Sequence, residues 1–415
     1  MKILVCDDRK KDCEDTVGDI KGAGLKDVTP LFGNNLADEL RKLFIRMKGQ
    51  PDHEKPILFD AFDLVIVDNN LAGLDIEGAR LTAESIVGYL RAFTSAGYFV
   101  SLNKNPDVDF DLRFLIGDDA THADLALNTK HMGKEPLWTG RAEGGKSFRP
   151  WYWPALSHVV SRRRKQIRWL KGRLDRSVLG ELGIPKSAID ILSRHAIGAL
   201  APFAGAGGTG KAGNRKYSEE DVTFIDMFRS STRSLPDADR KAILELPVGE
   251  TREVISRIVA SDLDLWIRRD LLGPQEVVVD VPHLLLRMPF LLGRRAADLK
   301  SWRKAVREVG PPFGMVRELY ESHVKRHRVR NEIWFDRPCF WWPDLRKDDG
   351  LTKLFSPQKW IEAVFCEDTS DFEDPGEGQR TSPHEFVAEF EGPWERRHVL
   401  MLGGFSYSPR SRFAI

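Results

Sequence analysis

Cysteine is scarce. The chain has four in 415 residues, Cys6, Cys13, Cys339 and Cys366, with no C-x-x-C and no other paired spacing. That excludes a disulfide-stapled scaffold and a cysteine-rich zinc module, and points to reduced thiols in a cytosol. Long apolar runs are missing too, and none approaches the ~20 residues that a bilayer-spanning helix needs. The N-terminus passes from Met1-Lys2 straight into an apolar strand pattern and then into acid, unlike a signal peptide. Charge of one sign is not in excess: 63 Lys and Arg face 62 Asp and Glu, a net charge of +1. The molecule as a whole is therefore no polyanion binder, and a nucleic-acid role would need a local basic patch. No repeat recurs at a solenoid period. No helix-turn-helix or zinc-finger spacing is visible. These absences predict a cytoplasmic protein without a membrane partner. At 41% hydrophobic and 30% charged the chain is globular, and its length predicts two or three domains.

What is present begins with alternation. Residues 1–148 read as strand, helix, strand, helix, the pattern of a parallel sheet covered on both faces. Strands are predicted at 2–6, 28–32, 62–68, 98–102 and 123–128. Helices are predicted near 10–23, over 35–48 on the spacing of Leu36, Leu40, Leu43 and Phe44, and over 81–96. A polar loop is predicted after residue 68, and an acidic insert over 105–121 stands where a further helix would complete the alternation. Residues 149–330 are mainly helical, with predicted helices at 155–175, 186–200, 251–272 and 294–309. Residues 331–415 are rich in Trp, Phe and Pro and read as a small α+β module with short strands and an acidic loop at 367–379.

Three acids carry the chemistry. The run Ile3-Leu4-Val5-Cys6 ends in Asp7-Asp8, and the run Leu64-Val65-Ile66-Val67 ends in Asp68. If the two strands are parallel neighbours, three carboxylates meet at their carboxyl ends, where they repel one another unless a cation is present. Mg2+ is the cation that takes one or two carboxylates together with phosphate oxygens. The bland alternative is three strand-end acids capping the helices that follow.

These residues, with Asn69-Asn70-Leu71-Ala72-Gly73, Phe99-Val100-Ser101, Ala123-Asp124-Leu125 and Thr129-Lys130, give the N-terminal third a likeness to a known family. It resembles the receiver domain of two-component response regulators. The resemblance implies a flavodoxin-like, doubly wound parallel sheet of strand order 2-1-3-4-5. It implies Asp68 as phosphoacceptor, and Asp7, Asp8, Asp68 and the Asn70 backbone carbonyl as Mg2+ ligands. It implies Ser101 as the switch hydroxyl and Lys130 as the lysine that pairs with the phosphoryl group; Lys104 is the alternative for that last role. The sequence departs from the family where His131, not proline, follows Lys130, and where the acidic insert replaces the fourth helix.

Other stretches have plainer readings. Gly205-Ala206-Gly207-Gly208-Thr209-Gly210-Lys211 fits a phosphate loop, but Ala212 stands where the metal-binding hydroxyl belongs and no strand precedes it; a Gly-rich linker is the plainer reading. Arg162, Arg163, Arg164, Arg168 and Lys171 form a basic amphipathic stretch that suits an acidic partner or nucleic acid, with packing on the acidic N-terminal domain favoured over nucleic acid. His323 and His327 sit four apart without the glutamate of a zinc protease and among cations, so a solvated face is expected. Asp344, Asp348 and Asp349 read as loop charges.

The function expected is an intracellular signalling protein, phosphorylated on Asp68 by a histidine kinase or a small acyl phosphate, with Mg2+ as cofactor. Phosphorylation would control docking of the later regions, of a partner protein or of a second copy. It would be no enzyme beyond its own phosphorylation. One alternative is a phosphorylation-independent pseudo-receiver acting as a scaffold in a signalling or defence assembly, its aromatic C-terminal stretch supplying contact surface. The other is an enzyme in the C-terminal part under receiver control.

Overall fold

The structure, a computed structural model, describes residues 1–48, 56–76, 79–103, 122–140, 155–188, 190–192, 222–230, 235–272, 275–308, 310–335, 337–352, 360–361, 363–366, 371–373, 398–400 and 405–406. The chain forms two compact units. The first combines residues 1–143, 152–177 and 198–265; the second combines 144–151, 178–197 and 266–415.

Unit 1 is built on a five-stranded, all-parallel sheet of order β2-β1-β3-β6-β7. Its strands are β1 (Ile3–Asp7), β2 (Val28–Phe32), β3 (Leu64–Asp68), β6 (Tyr98–Asn103) and β7 (Leu125–Asn128). Strands β1 and β3 are apolar and buried along their length, as a sheet covered on both faces requires. Leu4, Cys6, Val65, Val67 and Phe99 point into one core. There they meet Leu36, Leu40 and Leu43 of helix α2 (Gly33–Met47) and Ile86, Val87 and Leu90 of helix α3 (Ala83–Phe93). Alternation along the strands sends Val5, Ile66 and Tyr98 to the other face. Helix α1 (Lys10–Gly22) reaches Val5 through the Cys13 thiol, which donates to the Val5 carbonyl at 3.3 Å. Helix α4 (Leu156–Lys171) lays the Arg163 guanidinium over the Tyr98 ring, 5.3 Å from its centroid.

The segment after β3 is not the polar loop the sequence suggested. It is a β-hairpin, β4 (Asn70–Ile76) with β5 (Ala79–Thr82), which buries Leu71, Leu74, Ile76 and Leu81 against α2 and α3. The four apolar residues among polar ones supply one buried side, which is what a short hairpin needs to persist. Its last residue, Thr82, is the N-cap of α3 and accepts the Ser85 N–H at 3.2 Å.

Among the described residues, unit 2 has its own core and two antiparallel sheets. In the smaller, β8 (Val278–Asp280), β10 (Cys339–Trp341) and β9 (Arg328–Val329) lie in the order β8-β10-β9. The boundary read from the sequence at 330/331 falls inside this sheet, because β10 closes on strands that precede it in the chain. The other sheet is β12-β11-β13-β14, from Asp371–Glu373, Val364–Cys366, His398–Leu400 and Phe405–Ser406. Cys6, Cys13 and Cys339 are buried free thiols. No helix of the described residues is long and apolar enough to cross a membrane.

Candidate functional site

Parallel pairing of β1 with β3, Cys6 opposite Val67, brings the carboxyl ends of both strands level. Asp7, Asp8 and Asp68 therefore converge, each with a carboxylate oxygen within 4.8 Å of the others. Asp7 and Asp68 are buried, and Asp8 is half-buried. The Arg9 N–H donates to Asp7 Oδ1 at 2.9 Å, which fixes the turn out of β1. The Gly73 N–H of the hairpin donates to Asp8 Oδ2 at 2.8 Å. An open pocket sits over the cluster, lined by Asp8, Arg9, Asp12, Asp68, Asn69, Asn70 and Asn103.

The donor set is made of oxygen atoms only, from three carboxylates, and that is the chemistry of a hard cation such as Mg2+ rather than of zinc. The space beside Asp8 is a cradle: a Cβ added at Gly73 would stand 2.5 Å from Asp8 Oδ2. The residues present fit a small divalent cation that keeps some of its water.

Asn70 lines the pocket with Asp8 and Asp68, and Asp7 lies outside the lining. Ser101 does not line the pocket. It pairs with Val67, one residue before the level of Asp68. Asn103, two residues on, lines the pocket instead. Lys130 lies in a helical turn, Thr129–His131, after β7, where its N–H is held by Asn128 Oδ1 at 3.1 Å; it is not among the lining residues. Lys104 lies outside the described residues. Sequence reasoning missed Arg9, Asp12, Asn69, Gly73 and Asn103. Arg9 and Asp12 could have been placed by their position in the first turn after β1, whereas Gly73 depends on the unforeseen hairpin.

The basic stretch resolves into two sides of α4. Arg163 is buried and pairs with Asp124 at 2.8 Å and Asp264 at 3.2 Å, and Arg162 also reaches Asp264 at 3.2 Å. Asp264 belongs to helix α5 (Val248–Trp266). Arg164 pairs with Asp63 at the foot of β3, and Lys171 pairs with Glu253 of α5 at 2.7 Å. Arg168 is exposed and bonds the carbonyl of Arg164 at 3.4 Å. Four of these five cations thus meet acids of unit 1 itself.

In unit 2, His323 Nδ1 lies 2.9 Å from Asp348 Oδ1, and Asp348 also pairs with Arg326 and accepts the Gly350 N–H at 3.0 Å. Asp348 is thus a buried turn cap with its own partners, rather than a loose loop charge. Asp280, at the end of β8, accepts the His283 N–H at 3.2 Å and holds the His283 ring at 2.5 Å. Burial works to raise the Asp280 carboxyl, but the nearby His283 and Arg337 outweigh it and hold the pKa at about 2. The Gly-rich stretch 205–212 lies outside the described residues. No protein-family model, curated protein or solved structure matches the chain.

Proposed function

We propose that unit 1 is a receiver-like phosphoacceptor module, in which Asp7, Asp8, Asp68 and the Asn70 carbonyl hold Mg2+ and Asp68 accepts a phosphoryl group. One observation carries the reading: three carboxylates from the ends of two adjacent parallel strands converge within 4.8 Å, and two of them, Asp8 and Asp68, line an open pocket. With the hairpin set aside, the sheet strands run 2-1-3-4-5 in chain order. Read as a flavodoxin-like sheet, this arrangement would bind its ligand outside the strand carboxyl ends.

The chemistry needs little else. A Mg2+ ion, when bound, offsets the charge of the carboxylates and of the donor oxygens. An Asp68 carboxylate oxygen attacks the phosphorus of an acyl phosphate or a phosphohistidine. The bond from phosphorus to the donor breaks, and the donor leaves with that electron pair. Arg9 at the pocket rim supplies a cation near the transferred oxygens. A histidine kinase or a small acyl phosphate is the donor class, and the output is a change in what unit 1 docks against, in a partner protein or a second copy.

The test is native mass spectrometry with beryllofluoride, a mimic of the phosphoryl group. The reading expects one adduct that requires Mg2+ and is lost in Asp68→Asn. An adduct that forms without Mg2+, or that survives Asp68→Asn, contradicts it.

A second reading is favoured by Ser101 and Lys130 lying outside the pocket lining. In it, unit 1 is a pseudo-receiver that works as a scaffold without phosphorylation. Pull-down then recovers the same partners with Asp68→Asn as with the wild type, and loss of those partners counts against it.

A further inference from the structure

We infer that the β4–β5 hairpin is the element that responds to metal occupancy, with Gly73 as the positioning residue that couples it to Asp8. The inference rests on the Mg2+ reading of the acidic cluster.

Asp8 is shared. Its Oδ2 accepts the Gly73 N–H at 2.8 Å. A carboxylate has two oxygens and several lone pairs, so it serves a backbone donor and a cation together. The hairpin thereby holds a ligand carboxylate in place, the work that outer-shell groups do for metal sites generally. Glycine at this position serves the close approach. A Cβ at residue 73 would lie 2.5 Å from Asp8 Oδ2 and 3.1 Å from Asp8 Cγ. Residue 73 is not among the glycines with positive φ, so backbone conformation alone does not call for glycine here.

The contact leads into the core. Leu71, Leu74, Ile76 and Leu81 of the hairpin share one hydrophobic cluster with Leu36, Leu40 and Leu43 of α2. Thr82 ends the hairpin and caps α3. A change in how tightly Asp8 holds Gly73 therefore bears on both helices. Ser101, the hydroxyl expected to serve as switch, pairs one residue short of Asp68 and lines no part of the pocket. The hairpin is in direct contact with Asp8.

Coupling between two sites is reciprocal. If the hairpin orders Asp8 for the cation, the cation must stabilise the hairpin by the same factor. Hydrogen exchange of the wild-type chain over residues 70–76, titrated with MgCl2, measures one side. Calorimetric Mg2+ titration of wild type, Gly73→Ala and Ala72→Ser measures the other. Exchange is expected to slow with the same midpoint as the calorimetric curve and to level off at the factor by which loss of the Gly73 contact weakens binding, roughly tenfold. Gly73→Ala is expected to weaken Mg2+ binding roughly tenfold or more, while Ala72→Ser, exposed on the same strand, leaves it unchanged.

If the wild type binds Mg2+ but exchange over 70–76 does not change, the hairpin inference is wrong. The same holds if Gly73→Ala binds as tightly as wild type. The exchange arm decides even if Gly73→Ala fails to fold. If the wild type binds no Mg2+ in calorimetry, the metal reading itself fails and the inference falls with it.

Discussion

Asp124 sits where a carboxylate should be costly, buried at the start of β7, and it is kept ionised by three hydrogen-bond donors and the charge of Arg91. Arg163 lies 2.8 Å away, Arg91 3.3 Å, the Ser261 hydroxyl 2.6 Å and the Phe99 N–H 2.9 Å. Burial pushes its pKa up, but Arg163 and Arg91, with the Ser261 hydroxyl, outweigh burial and hold it far below the usual carboxylate range. Removing the charge takes the acid from the buried Arg91 and leaves Arg163 with Asp264 alone, so Asp124→Asn should cost roughly 3–5 kcal/mol in urea unfolding. His131 is the opposite case. Burial, then the charges of Lys130 and Lys134, lower its pKa from 6.5 to about 3. The unfolded chain takes up the proton first, so this contribution is complete above pH 6.5 and is lost as pH falls toward 3, at up to ~1.4 kcal/mol per pH unit. In urea titrations across that window, His131→Gln should show a shallower loss than wild type. Asp7, Asp8 and Asp68 were legible because each ends an apolar run. Asp124 was not, because its partners lie 39 and 137 residues away in sequence.

At the scale of elements, the basic helix and the hairpin were the places where local pattern stopped short. The sequence marked α4 as amphipathic, and it is. It did not say that Arg162 and Arg163 turn inward, since an arginine on an apolar face reads as an interruption until Asp124 and Asp264 are placed beside it. The hairpin reads as a polar loop because its alternation is broken by Gly73. Helix α3 shows a further long-range contribution. Its last carbonyls, on Arg91 and Ala92, accept from Arg257 of α5 at 3.0 and 2.8 Å, and Phe93 accepts from Arg46 at 2.8 Å. Cations at a helix C-terminus satisfy open carbonyls and complement the dipole. Arg257→Ala should therefore lower stability by about 2 kcal/mol, the worth of a charged hydrogen bond, read as a shift of the urea midpoint without loss of the α/β circular dichroism signature.

For the whole molecule, the parallel sheet was legible, because strand and helix patterns alternate over residues 1–148. The division of the chain was not. Helices α4 and α5 belong to the same unit as the sheet, and periodicity within a segment carries no information about which distant segment it covers. A fragment of residues 1–148 keeps Asp124 and Arg91 but lacks Arg163 and Ser261. It should unfold at far lower urea than a fragment of residues 1–265, which restores both, as followed by circular dichroism. The central claim, that Asp68 is a phosphoacceptor served by the acids of β1, is tested most directly by intact mass after incubation with acetyl phosphate and MgCl2. The account predicts the gain of one phosphoryl group, mapped to Asp68, absent with EDTA and absent in Asp68→Ala. No gain in wild type, or a gain that persists in Asp68→Ala, would contradict it.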